Sequence, residues 1–233
     1  VAFFSLEMDA SQLMLRILCQ QGKIPMQELR QGRLHAEFSQ RIPLVADRLQ
    51  RAPLFIDDQP NLTLADLRTK CLMLQDSLEK EGKQPLSLIV VDYLQLMEGG
   101  ENAESRQIFI SQVSRGLKQL SKELKVPVMA LSQLSRKIED RPSGSSRPKL
   151  SDLRESGAIE QDADMVWFIS RESYGGATKN RDEDGVDGDP TQAELIIAKH
   201  RNGPTRDIKL TFLAEHAGFY DPSINFTNRG GHY

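Results

Sequence analysis

The stretch Leu86–Gln95, Leu-Ser-Leu-Ile-Val-Val-Asp-Tyr-Leu-Gln, constrains the fold more than any other segment of the chain. A near-continuous run of β-branched and aliphatic residues suits a strand buried on both faces, the usual state of a central strand in a parallel sheet. Asp92 sits where that run ends. In open α/β sheets ligands bind beyond the carboxyl ends of the strands, so a carboxylate there suits Mg²⁺ beside nucleotide phosphates, the Walker B pattern. A plain alternative is an Asp that caps the turn after a buried strand, and the neighbouring stretches have to decide.

At 233 residues and 39% hydrophobic composition, the chain can build the core of one large α/β domain. No apolar stretch approaches the roughly 20 residues of a membrane-spanning helix, and no leader with a basic start is visible, so a cytoplasmic protein without a membrane partner is expected. Cys19 and Cys71 stand without further cysteines, and His35, His200, His216 and His232 are scattered, which excludes a disulfide framework and a zinc spacing. A net charge of −3 excludes a surface coated in basic residues, but it allows a local basic patch.

The chain opens on an apolar run, Val1 to Leu6, that predicts a strand with Glu7 at its exit. Asp9 and Gln12 then resemble a capping box ahead of a helical face of Leu13, Met14, Ile17 and Leu18. Gly22 with Pro25 breaks this helix, and Gly32 closes a short second one. Phe38, Ile42, Val45 and Leu49 mark another amphipathic helix, with a kink expected at Pro43. Leu54–Asp58 predicts a short strand, and Thr63 starts a helix with the stripe Leu64, Leu67, Cys71, Leu74 and Leu78.

Beyond the central strand, Glu98–Ser105 predicts a mobile loop, Ile110 to Leu124 a helix, and Val128–Ser132 a strand that runs into Gln133. Ser135–Lys149 is loop-like, and between Leu134 and Arg154 six bases (Arg136, Lys137, Arg141, Arg147, Lys149, Arg154) face three acids (Glu139, Asp140, Asp152). Met165–Ser170 predicts another strand, Arg171–Thr191 a surface excursion. Ala193–Arg201 and Arg206–Leu213 predict an antiparallel hairpin turned through Asn202, Gly203 and Pro204. Lys199 and Arg201, two apart on a strand, share a face. The alternation of strand and helix from Val1 to Ser170 implies one mainly parallel, doubly wound sheet with helices on both faces, extended at its edge by the C-terminal hairpin, all within a single domain over residues 1–233.

Three strand ends thus present Glu7, Asp92 and Gln133, a set suited to phosphoryl transfer. That reaction needs a metal to offset phosphate charge, a carboxylate to orient or deprotonate water, and a polar group that registers the γ-phosphate. Polar residues also end strands for no catalytic reason, but three together weigh toward the functional reading. A Gly-x-x-x-x-Gly-Lys-Ser/Thr phosphate loop is absent, because neither Gly22-Lys23 nor Gly82-Lys83 has the required spacing.

In order along the chain stand Ser5-Leu6-Glu7-Met8, Asp92-Tyr93-Leu94-Gln95-Leu96-Met97, Ala130-Leu131-Ser132-Gln133-Leu134, Ser151-Asp152-Leu153-Arg154-Glu155-Ser156-Gly157 with Ile159-Glu160-Gln161-Asp162-Ala163-Asp164, and Lys199-His200-Arg201-Asn202-Gly203-Pro204. These words resemble the C-terminal RecA-like motor domain of the bacterial DnaB-type replicative helicases. The resemblance implies a RecA-like P-loop NTPase core and an ATP- and Mg²⁺-dependent homohexamer. It further implies a ring that encircles single-stranded DNA, unwinds duplex at a replication fork, and has a primase and a helicase loader as partners. By position, Glu7 matches the water-activating glutamate, Asp92 the Walker B aspartate that holds Mg²⁺ through water, and Gln133 the γ-phosphate sensor. Arg16 matches an arginine near the nucleotide phosphates, with a solvent-facing helix residue as the alternative. Lys199 and Arg201 match the pair that reaches the nucleotide of the adjacent subunit, against the alternative of two solvated cations beside a turn.

Arg154, Glu155 and Gly157 match the channel loop that touches the DNA backbone, where a glycine lets a backbone N–H approach a phosphate closely. Ser-Asp in that motif is equally a helix N-cap. The family's phosphate loop, N-terminal domain and linker helix are expected upstream of Val1. Two other functions compete with a helicase: a RecA-type recombinase, disfavoured by the Ser151–Gly157 and Lys199–Pro204 motifs, and a non-catalytic ring or docking module, disfavoured by the polar residues retained at the strand ends.

Overall fold

The computed structural model describes residues 1–99, 103–135, 138, 147–171 and 191–223. Within these, two four-stranded sheets form. The first is parallel and consists of β1 (Ala2–Ser5), β2 (Phe55–Asp57), β3 (Ile89–Asp92) and β4 (Val128–Ala130), in the order β2-β1-β3-β4. Crossovers of helix join these strands: α1 (Ala10–Gly22), α2 (Met26–Gln31) and α3 (Ala36–Arg51) between β1 and β2, α4 (Leu64–Lys80) between β2 and β3, and α5 (Ala103–Leu124) between β3 and β4. Helix α5 begins at Ala103, inside the stretch expected as a loop.

Helix ends follow local side-chain chemistry. Asp9 accepts from the Gln12 amide at 2.8 Å and starts α1. Thr63 and Asp66 form a reciprocal capping box at α4. Gly32, at φ 66°, closes α2 in the left-handed conformation that glycine adopts without a Cβ penalty. Pro43 lies inside α3, which runs through it from Ala36 to Arg51.

The core is built where the sequence concentrates its apolar stripes. Ala2 and Phe4 of β1 and Ile89 and Val91 of β3 pack with Leu67, Cys71 and Leu78 of α4 and with Ile110, Val113, Leu117 and Leu120 of α5, all buried. Burial pushes the Cys71 thiol up to about 12, so it stays protonated and inert at neutral pH. At the surface the Arg68 guanidinium donates to Glu123 through Nε at 2.9 Å, which joins α4 to α5.

The second sheet is antiparallel, in the order β5 (Met165–Ser170), β6 (Gln192–His200), β7 (Arg206–Leu213), β8 (Gly218–Tyr220). It corrects two expectations: the Met165–Ser170 strand pairs antiparallel with β6, Met165 opposite His200, instead of entering the parallel sheet, and among the described residues the hairpin β6–β7 pairs within this second sheet instead of extending the edge of the first. The run is apolar at every position but Ser170, and this conceals an alternation in which Val166 and Phe168 are buried while Trp167 and Ile169 are 46% and 54% exposed. The hairpin also gains a third strand, β8, too short to announce itself in the sequence. A second core of Leu153, Val166, Phe168 and Ile196 lies under this sheet. Into it leads the segment Leu150–Ser156, followed by α6 (Gly157–Asp162). Of the loops expected from the sequence, residues 100–102, most of Ser135–Lys149, and 172–190 lie outside the described residues. No helix among the described residues is long and apolar enough to cross a membrane.

Candidate active site

The parallel register brings the expected strand ends to one edge. Ser5 lies opposite Asp92, and Val91 opposite Ala130. Backbone pairing continues past the strands, with the Leu6 amide donating to the Asp92 carbonyl at 2.7 Å and the Leu94 amide to the Leu131 carbonyl at 3.0 Å. Glu7 and Gln133 leave the sheet just beyond these bonds, on either side of Asp92. The buried Ser5 hydroxyl donates to the Met8 carbonyl at 2.7 Å and closes the turn that carries Glu7.

Asp92 is partly buried, while Glu7 and Arg16 are exposed. Burial holds the Asp92 carboxyl above the usual carboxylate range, the Glu7 charge pushes it further the same way, and Arg16 of α1 opposes both. These three residues therefore share one electrostatic environment. Arg16 is solvent-exposed, and its charge reaches Asp92. A carboxyl whose proton affinity is raised by a neighbouring carboxylate belongs to a donor set suited to a divalent cation, whose charge relieves the repulsion.

Gln133 is held through its backbone by Gln95, a residue to which the motifs assign no role. Gln95, in the short 3₁₀ turn Leu94–Leu96 after β3, accepts from the Gln133 amide at 3.2 Å and donates to the Gln133 carbonyl at 3.3 Å and to Ser132 Oγ at 2.8 Å. With its main chain fixed on both sides, the Gln133 side chain is the exposed part. The sequence signal for this clamp is a second glutamine at the end of the adjacent parallel strand.

Lys199 and Arg201 form a separate cluster on the antiparallel sheet, and the shared face read from their spacing is observed. Lys199 Nζ donates to the Glu160 carbonyl at 2.5 Å, Arg201 Nη2 to the Gln161 carbonyl at 3.1 Å, and Arg201 Nη1 meets Asp164 Oδ1 at 3.0 Å. Both cations thus sit on the C-terminal end of α6, where helix carbonyls lack intrahelical donors.

The expected channel loop leads into the same helix. Asp152 is buried and accepts from the Lys149 amide at 2.7 Å, so the capping role open to the Ser-Asp pair is filled by this residue. Gly157 is exposed, and a Cβ there would meet nothing within 4 Å. Its backbone, at φ −53° and ψ −24°, is ordinary helix, so neither strain nor packing requires glycine. The side chains of Arg154 and Glu155 lie outside the described residues. Of the bases in the preceding loop, Arg147 is engaged by Glu194 at 2.7 Å and by Asp207, across β6 and β7.

A family model described as DnaB-like helicase C terminal domain matches residues 1–221. The chain is 44% identical over 230 residues to the replicative DNA helicase DnaB of Geobacillus stearothermophilus, covering 98% of this chain and 46% of that protein. It is 41% identical over 231 residues to the replicative DNA helicase DnaC of Bacillus subtilis (strain 168), covering 99% and 47%. The chain therefore spans about half the length of these relatives. Among solved structures it is similar to a DnaB-like replicative helicase studied for its interactions with primase, at TM-score 0.81 and 33% identity, covering 94% of this chain and 50% of that one. A separately solved ATPase domain gives the same TM-score, 0.81, and 33% identity, covering 94% and 73%.

The electrostatics of Asp92 have a consequence for stability. A carboxyl whose folded-state proton affinity is raised stabilises the fold below its unfolded pKa and loses that contribution as pH rises through the folded value. Asp92→Asn is expected to raise the thermal unfolding midpoint at neutral pH, with the gap to the native protein closing as the buffer is made acidic. A lower midpoint at neutral pH would contradict the assignment of a destabilising carboxylate.

Proposed function

Because the chain belongs to the DnaB-like helicase C-terminal domain family, we propose that it is the motor of an ATP-dependent replicative DNA helicase. It works in the cytoplasm as a homohexameric ring on single-stranded DNA. The observation that carries this reading is the parallel register that brings Glu7, Asp92 and Gln133 out at one sheet edge, with Arg16 beside the two acids. A recombinase-type ATPase would share the edge, but the family match over residues 1–221 favours the helicase.

Glu7 takes the proton of the attacking water, the new bond forms at the γ-phosphorus, and the bond to ADP breaks with release of phosphate. Asp92, with Glu7 nearby, would hold Mg²⁺ through water, and the ion neutralises charge on the β- and γ-phosphates when bound. Gln133, on its clamped main chain, reports the γ-phosphate. Arg16 adds positive charge on the side of α1. Lys199 and Arg201 reach the nucleotide of the adjacent subunit, where such a cation is worth on the order of 10³ in rate or more in comparable systems.

The proposed hydrolysis requires a phosphate cradle, and the Gly-x-x-x-x-Gly-Lys-Ser/Thr pattern of one does not occur in this sequence. Two edge strands support a further strand: among the described residues β4 and β5 each pair on one side only, and they expose Met129, Met165, Trp167 and Ile169. Such edges are rarely left uncovered. Arg154, Glu155 and Gly157 form the channel loop, which contacts phosphates and reads no sequence. Primase and a loader are its partners in replication.

Two measurements on the full-length protein test this reading. Glu7→Gln is expected to keep nucleotide binding near the native level while MgATP turnover falls at least about 10²-fold, the scale of general acid–base catalysis. Native turnover in that variant would remove Glu7 from the mechanism. Gly157→Ala is expected to leave the fold unchanged or more stable by about 0.4–1 kcal/mol, since its dihedrals suit alanine. The same variant should weaken single-stranded DNA binding. Native DNA affinity would move the backbone contact away from Gly157.

A further inference from the structure

Asp164 is the residue at which Lys118 of α5 and Arg201 of the cation pair meet. It lies immediately before β5, and Arg201 immediately after β6, across a ladder whose terminal pair is Met165 and His200. The Arg201 amide donates to the Asp164 carbonyl at 2.8 Å, so main chain and side chain of the two residues are joined together. The carboxylate divides its oxygens: Oδ1 accepts from Arg201 Nη1 at 3.0 Å, and Oδ2 accepts from Lys118 Nζ of α5. Lys118 and Arg201 thereby hold the Asp164 carboxyl below the usual carboxylate range, so it is ionised at neutral pH.

The second Arg201 contact, Nη2 to the Gln161 carbonyl, fixes the plane of the guanidinium from the other side. A guanidinium has five N–H donors in a rigid fork, so two committed bonds orient it and leave the remaining donors for a phosphate. Helix α6 is itself seated on α5, with the Ser114 hydroxyl donating to Asp162 Oδ2 at 2.9 Å. Helix α5 therefore supports both the helix end and the carboxylate against which the cations lie.

We propose that Asp164 is a positioning residue for the trans-acting Arg201, holding its guanidinium at the angle from which it meets the neighbouring subunit's triphosphate. This rests on the reading above that Arg201 acts on the adjacent nucleotide. Asp164 is half-exposed, and exposed ion pairs contribute little to stability. Its contribution to geometry is thus separable from any contribution to folding. A misplaced catalytic group lowers rate far more than it lowers affinity.

The test uses full-length, assembled protein and follows MgATP turnover stimulated by single-stranded DNA in Asp164→Ala, Asp164→Glu, Arg201→Ala and the Asp164→Ala/Arg201→Ala double variant. Asp164→Ala is expected to lower kcat by about tenfold or more, with a smaller change in the KM for ATP and an unchanged unfolding midpoint. Asp164→Glu should recover most of the loss. The double variant should be no slower than Arg201→Ala alone, since the two residues act through one guanidinium. Native kcat in Asp164→Ala beside a disabled Arg201→Ala would overturn the positioning role and leave the finger reading intact. A double variant slower than Arg201→Ala by the full Asp164 factor would show independent action and also overturn it. Native turnover in Arg201→Ala would remove the reading on which it rests.

Discussion

The bond from the Leu6 amide to the Asp92 carbonyl, with its counterpart from the Leu131 amide to the Val91 carbonyl at 2.9 Å, holds three strand ends in one line. Hydrolysis as proposed depends on that alignment. Side chains alternate along a strand, so a slip of one residue would turn Asp92 to the opposite face and separate it from Glu7. Register is fixed in turn by burial, since Ile89 and Val91 must face α4 and α5. The apolar stripe that folds the sheet is thus also what aims the carboxylate.

The antiparallel sheet has a different task. It presents Lys199 and Arg201 at the end of a hairpin, seated on α6 and Asp164, while the segment entering α6 carries the proposed DNA loop. One short helix therefore has the glycine proposed to face DNA at its start and the two cations at its end. A shift of that helix when the loop engages a strand would reach the cations directly, through the hydrogen bonds to Glu160 and Gln161. This arrangement suits a motor in which DNA contact in one subunit bears on hydrolysis at the neighbouring interface.

Local patterns make a large part of this architecture legible in the sequence. Asp92 at the end of a buried run, the caps at Asp9, Thr63 and Gly32, and the shared face of Lys199 and Arg201 are all local features, and each holds in the structure. Features that escape such reading depend on pairing between distant segments. The Met165–Ser170 strand leaves the expected parallel sheet because an apolar run carries no sign of its partner. Gln95 and Asp164 stand inside recognisable motifs without a role, for their work lies in bonds to residues 38 and 37 positions away. Arg147 reads as part of a basic loop, but it is occupied by two acids of the hairpin.

In the proposed ring the hydrolytic glutamate and the arginine acting on its nucleotide come from different subunits. Rings assembled from mixtures of full-length Glu7→Gln and Arg201→Ala chains, each expected to be inactive alone, test this most directly. An interface that joins the Glu7 of one chain to the Arg201 of the other is intact, so DNA-stimulated ATP turnover should reappear on mixing and peak near equal proportions. Turnover that stays at the level of the single variants at every ratio would contradict the trans assignment and return Arg201 to its own subunit.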